Sequence, residues 1–202
     1  EGRFEELKEF GRRQLEKMDF SGFDRYQQKT KNTQYDALRA SLEVSERKLA
    51  VFFPPDDNSL GFVPVEHEDR RRHVPHYESS YDASVELARH SDLEVIFKPH
   101  PSMANRVFPN SGLPNHHIID LDFKGLIADA DIIAGTGSGL ELIALMQGKP
   151  VIIMGREMLL NKGIAYECLD ISAIPLAADG AAKKDSLDEK LERFDAFAGY
   201  LY

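Results

Sequence analysis

Cysteine is almost absent from this chain of 202 residues, where Cys168 stands alone. A single thiol permits no internal disulfide framework and no cysteine-built metal cluster. It suits a reducing compartment, so the expected location is the cytoplasm. Positive charge is also short, with 25 Lys and Arg against 34 Asp and Glu and a formal net charge of −9. That balance excludes a broad basic field for gripping nucleic acid or an anionic membrane, and leaves room for a local basic pocket. No apolar run approaches the roughly 20 residues of a membrane span, and the opening EGRFEELKEF is charged and unlike a signal sequence. There is no internal repeat. There is also no starting methionine, as expected of a fragment or a processed chain.

What is present changes character near residue 48. Residues 1 to 47 are polar and helix-prone, with Phe4, Leu7, Phe10, Leu15 and Met18 at helical spacing. They read as a helical connecting segment of two helices around a break at residues 21 to 23. From residue 48 onward, short apolar runs alternate with helical stretches. The runs LAVFF (49 to 53), LEVIF (93 to 97), HIID (117 to 120), DIIAG (131 to 135) and PVIIM (150 to 154) are apolar on both faces, as central parallel strands are. Between them YDASVELARH, FKGLIADA and SGLELIALMQG carry helical periodicity. This rhythm predicts an α/β fold over residues 48 to 202, a Rossmann-like parallel sheet of about five strands with helices on both faces. The tail DSLDEKLERFDAFAGYLY predicts a closing helix, whose Leu187, Leu191, Phe194, Phe197 and Leu201 form one stripe that packs back on the body. Residues 54 to 80 are too polar and too long for a tight connection and read as a lid or a surface excursion.

In an open parallel sheet, ligands bind beyond the carboxyl ends of the strands. The polar oddities of this chain fall there: PPDD after LAVFF, KPHP after LEVIF, GTGSG after DIIA and GR after PVIIM. In GTGSGLE, Gly135, Gly137 and Gly139 let the backbone approach a ligand, Thr136 and Ser138 supply hydroxyls, and Ser138 can cap the following helix. Free N–H groups and the positive end of the helix dipole make such a turn an anion site, with phosphate as the expected guest. It is not a Walker loop, because no GK[ST] follows, and Glu141 and Leu142 stand where the third glycine of GxGxxG would fall. The same residues also read as a tight turn with a capping serine and no ligand. Glu141 can reach a ligand diol, or simply stabilise the first turn of its helix.

In KPHP, Pro99 and Pro101 fix φ and hold Lys98 and His100 in a stiff, non-helical corner. Little entropy is then lost when the ammonium and the imidazole engage a phosphate. A strand-end lysine and a lone histidine are each more often structural; two prolines around them, facing a glycine-rich turn, favour a site. Asp56 and Asp57 are candidate base or hydroxyl-binding groups, or an ordinary turn composition. Arg70, Arg71 and Arg72 read as solvated loop cations or as a contact for a polyanionic acceptor. His116 and His117 lack partners at ligand spacing, and HEDRRRH (67 to 73) lacks the zinc spacing of HExxH, so no protein-bound metal is expected.

The order VIFKPHP, a strand, then IADADIIAGTGSGLELIALMQGKPVIIMG resembles the C-terminal, nucleotide-sugar-binding half of GT-B glycosyltransferases of the capsule polysaccharide biosynthesis and Kdo transferase group. The closing LERFDAFAGYLY resembles the helix that ends such proteins, and the resemblance covers about residues 48 to 202. It implies an inverting transferase that takes a CMP-activated acid sugar such as CMP-Kdo, without a metal or other cofactor. The implied acceptor is a glycan or lipid-linked saccharide, met in the cytoplasm or at the inner face of the membrane. His100 and Pro101 match the family's HP pair and Ser138 its serine motif, here GSG rather than SS or ST. Lys98, Gly135, Thr136, Gly137, Gly139 and Glu141 complete the expected donor site. Such families keep the general base, an acid directly followed by glycine, in the other Rossmann half; PPDDNSLG has no glycine directly after its acids. A second Rossmann-like domain is therefore expected to carry the base, and no catalytic residue is assigned to this chain. The alternatives are a domain like those of CDP-glycerol glycerophosphotransferases or UDP-sugar 2-epimerases, or a non-catalytic interaction module.

Overall fold

The computed structural model describes residues 2–18, 33–43, 47–56, 76–103 and 105–201. Strands β1 (Leu49–Phe53), β2 (Glu94–Phe97), β3 (His116–Ile118), β4 (Ile132–Gly135), β5 (Val151–Ile153) and β6 (Tyr166–Glu167) form one sheet. Their order is β3-β2-β1-β4-β5-β6 and every pairing is parallel. This is the doubly wound arrangement. Phe52 stands beside both Phe97 and Ala134, so β1, β2 and β4 end near one level. The loops that follow them therefore emerge on one rim.

The five apolar runs all supply strands, and the sheet has one more strand than the sequence pattern predicts. β6 is only two residues long, sits at the edge and has a half-buried glutamate, so it carries no apolar run to read. The HIID run is also shifted. Its strand is His116–Ile118, and Ile119 extends the ladder only by donating its N–H to Phe97 O at 3.1 Å.

The helices are α1 (Gly2–Leu15), α2 (Thr33–Leu42), α3 (Ser80–Arg89), α4 (Phe123–Asp129), α5 (Gly139–Met146), α6 (Ile174–Lys183) and α7 (Leu187–Leu201). Alternation along each strand divides the core between two faces. Ala50, Phe52, Val95, Phe97, Ile132, Ala134 and Ile152 pack with α3 and α6. Leu49, Val51, Phe53, Ile96, Ile133, Val151 and Ile153 pack with α2, α4, α5 and α7. Strands apolar on both faces thus lie between two helical layers, as the continuous apolar runs require. Helix starts are set by short polar side chains. Ser79 accepts the Asp82 N–H at 3.1 Å while Asp82 accepts the Glu78 N–H at 3.0 Å, and Asp122 accepts the Gly125 N–H at 3.0 Å.

Helix α6 has no counterpart in the sequence reading. Its run IPLAADGAAK is rich in alanine and interrupted by Pro175 and Gly180, which blurs the apolar stripe. Pro175 lies in the first turn, where its missing N–H costs nothing. Gly180 lets the helix lie 3.3 Å from the Tyr166 ring when measured from the position of an added Cβ. The closing stripe packs in part as expected. Leu187 and Phe194 are buried and Leu191 and Phe197 pack against the cluster that holds Phe194, while Leu201 is exposed. The other side of α7 is covered by α1. Of the lid or surface excursion expected over residues 54 to 80, residues 57 to 75 lie outside the described residues, as do the expected break at residues 21 to 23, Asp57, the arginines 70 to 72 and HEDRRRH.

Candidate functional site

Where the sheet order turns back between β1 and β4, the chain leaves in opposite directions and a crevice opens at the carboxyl ends. A cleft of about 300 Å³ occupies this place. Its walls come from Pro54, Pro55 and Asp56 after β1, Lys98 to Pro101 after β2, Phe123 at the start of α4, and Gly137 to Leu140 after β4. Six of the nine sequence-predicted site residues meet there: Lys98, His100, Pro101, Gly137, Ser138 and Gly139 line the same cavity.

His100 is oriented by the turn it begins. Pro101–Met103 form one turn of 3₁₀ helix, in which Met103 donates its N–H to His100 O at 2.8 Å. The Ser102 N–H donates to His100 Nδ1 at 3.2 Å and the Ser102 hydroxyl lies 2.8 Å from the same nitrogen. A backbone N–H can only donate, so Nδ1 is the unprotonated nitrogen and the neutral ring carries its proton on Nε2. Burial lowers the imidazole below its usual value, Asp56 opposes this, and Lys98 adds to it. His100 thus lines the cleft as a ring whose neutral form has Nε2–H as its donor.

Lys98 is buried, and its ammonium donates to Asp120 Oδ1 at 2.6 Å and to Pro99 O at 3.1 Å. Asp120 was not visible as a partner, because it lies 22 positions away and only the β2–β3 pairing brings it near. Across the cleft, Ser138 caps α5 by accepting the Leu140 N–H at 3.3 Å, and Gly137 adopts φ +122°, a conformation open to glycine. The α5 N-terminus is thus presented toward the cavity wall.

Gly135, Thr136 and Glu141 stand behind this wall. The Thr136 hydroxyl is buried 2.8 Å from Ser80 Oγ, which joins the turn to the start of α3. A Cβ on Gly135 would meet Glu141 Oε1 and lie 2.7 Å from Phe53 O. Glu141 is fully buried, and its Oε1 accepts the Gly137 N–H at 3.2 Å. Burial above all, then the charge of Glu157, raises its carboxyl well above the ordinary range. Burial likewise raises Glu157, a residue the sequence reading passed over because nothing at a spacing of 16 positions announces a contact.

The other candidates serve the framework. His116 is buried against Ser84 Oγ at 2.9 Å and edge-on to Tyr81, and His117 lies 2.5 Å from Glu94 Oε1. Among the described residues, no group of three His, Cys, Asp or Glu could hold a metal ion, and no helix is long and apolar enough to cross a membrane.

The fold and the crevice together define a Rossmann-like α/β domain corresponding to one half of a GT-B fold. Solved structures are similar to this chain over part of their length. The glycotransferase of kitacinnamycin is similar at a TM-score of 0.50 with 15% identity, over 77% of this chain and 40% of that one. The wall teichoic acid polymerase TagF is similar at 0.50 with 16% identity, over 80% and 40%. Thermosulfurimonas dismutans KpsC, a β-Kdo 2,7 transferase, has a TM-score of 0.45 and 18% identity, over 72% and 53%. At such identities the likeness is one of fold, and this chain spans well under two thirds of each of those lengths. No family model matches the chain, and no curated protein does either.

Proposed function

We propose that the cleft holds the phosphate of a nucleotide-activated sugar and that the chain is the donor-binding half of an inverting glycosyltransferase. One observation carries this reading: His100 and the capped N-terminus of α5 face one cavity at the point where the sheet order reverses. An Nε2–H from one wall and backbone N–H groups from the other are donors suited to phosphate oxygens. When an acceptor hydroxyl attacks the anomeric carbon, the bond to the phosphate oxygen breaks and negative charge collects on the leaving nucleotide. Donors fixed in place before that moment stabilise the developing charge.

The finer reading rests on the sequence resemblance. The donor is a CMP-activated acid sugar such as CMP-Kdo, the acceptor a glycan or lipid-linked saccharide of capsule or lipopolysaccharide synthesis, and the general base belongs to a second Rossmann-like domain. The enzyme would then work in the cytoplasm or at the inner membrane face, with peripheral association. Calorimetric titration of the chain with CMP, CDP and UDP tests the site. Binding of one of them is expected, and His100→Ala should weaken it by about 1.5–3 kcal/mol, roughly tenfold to a hundredfold, the worth of a hydrogen bond to a charged group. Preference for CDP would instead favour a glycerophosphotransferase-like donor, and preference for UDP an epimerase-like one. Failure of all three to bind would remove the reading.

A further inference from the structure

Behind the glycine turn lies a pair of acids that ligand binding does not use. Glu141 is fully buried, its Oε1 is engaged by the Gly137 N–H, and its Oε2 has no partner among the described residues. Glu157, from the segment after β5, brings a second carboxyl within hydrogen-bonding reach of the first, and its own Oε1 is buried without a partner. No salt bridge compensates either group among the described residues. Two ionised carboxylates here would be like charges in a site screened from water, which is strongly unfavourable. A single proton between them removes one charge and gives the unpaired oxygens a bond.

We propose that Glu157 is a positioning residue that shares one proton with Glu141, and that this acid pair holds the glycine turn in the shape that presents the α5 N-terminus to the cleft. The path is continuous: Glu157 holds Glu141, Glu141 holds the Gly137 N–H, and Gly137 leads into the Ser138 cap. The turn has no large side chain of its own to fix it, and the space beside Gly135 is filled by Glu141. When the shared proton leaves, the half-buried Glu157 can swing toward water while Glu141 cannot, and the turn loses its anchor. The Phe53 carbonyl of β1 lies beside Gly135, the exposed Arg156 precedes Glu157 in the chain, and the cleft in front is lined by Asp56, Lys98 and His100. Burial moves the two kinds of group in opposite directions, lowering His100 and raising the two carboxyls. The effect on ligand binding rests on the phosphate reading of the cleft; the acid pair does not.

The test is an NMR titration of the full chain from pH 5 to 9, following glutamate carboxyl carbons and backbone amides, in the wild type and in Glu157→Gln. The glutamine amide can donate to Glu141 without a titrating proton. One glutamate should titrate at least about one unit above the ordinary carboxyl value, as expected of a coupled pair. The Gly137 amide should move with it, and both changes should vanish in the variant. CDP binding at pH 6.5 and 8.5 is then compared by calorimetry. The wild type should lose several-fold more affinity than the variant, the nucleotide's own ionisation being common to both. If no glutamate titrates above the ordinary range, or the Gly137 amide does not follow it, the proposal is overturned. If the pair titrates and Gly137 follows but CMP, CDP and UDP do not bind, the pair stands and the phosphate reading falls. If Glu157→Gln does not fold, the wild-type titration of the Gly137 amide still decides.

Discussion

His100 owes its donor character to Ser102, two positions along the chain. Because the Ser102 N–H occupies Nδ1, the imidazole proton is placed on Nε2 before any ligand arrives. The two prolines make the corner legible in the sequence, since they restrict φ whatever surrounds them. The tautomer was not legible, because it depends on where the Ser102 N–H points. Gly135 shows the same division. Its place in a glycine-rich turn suggests a close backbone approach to a ligand, yet the group it admits is the Glu141 carboxyl of its own chain. Gly135→Ala should therefore cost about 1–3 kcal/mol, the range for overpacking a filled site. A lowered urea midpoint with an unchanged m-value would register that loss, and an unchanged midpoint would show that the turn has room.

At the scale of elements, the crossing of α1 and α7 is the contact least expected from the sequence. A Cβ on Gly11 would meet Asp195 O and stand 2.5 Å from Gly199 N, and one on Gly199 would meet Leu7 O and stand 3.0 Å from Gly11 N. Two glycines facing one another let the helix backbones touch, and Arg12 closes the crossing by donating from Nη2 and Nε to Asp195 Oδ2 at 2.7 and 3.2 Å. The exposed ion pair contributes little by itself; the backbone approach is what a side chain would destroy. Gly199→Leu should weaken α1 docking by about 1–3 kcal/mol, seen as amide exchange in residues 2–15 faster by roughly tenfold or more. Nucleotide affinity should stay within about twofold of wild type, because the crossing lies outside the residues that line the cleft. Neither glycine belongs to the stripe of Leu187, Leu191, Phe194, Phe197 and Leu201. Periodicity of large apolar residues finds the face that meets the sheet, and it has no signal for a face that works by having no side chain.

For the molecule as a whole, pH acts from two sides. Burial, assisted by His117, lowers His116 to about 4. The unfolded chain takes up that proton near 6.5 and the folded one does not, so stability falls as pH drops from about 6.5 toward 4, by of order 2–3 kcal/mol. Glu141 and Glu157 act oppositely. Their folded values are raised, Glu157's to about 7, so their contribution is complete below the ordinary glutamate range and is lost as pH rises through the raised values. Denaturation at pH 4.5, 5.5, 7 and 8 should show His116→Asn flattening the acid limb alone; an unchanged acid limb would place the loss elsewhere. The sequence by itself determined the sheet's central strands and the corner and turn at their ends, because burial on both faces, proline and glycine act through local rules. Only the tertiary structure decided which polar groups meet: His100 and Ser138 across the cleft, Lys98 with Asp120, Glu141 with Glu157. Those pairings depend on strand order and on the turning of helices about the sheet, which bring together residues whose spacing along the chain carries no trace of the contact.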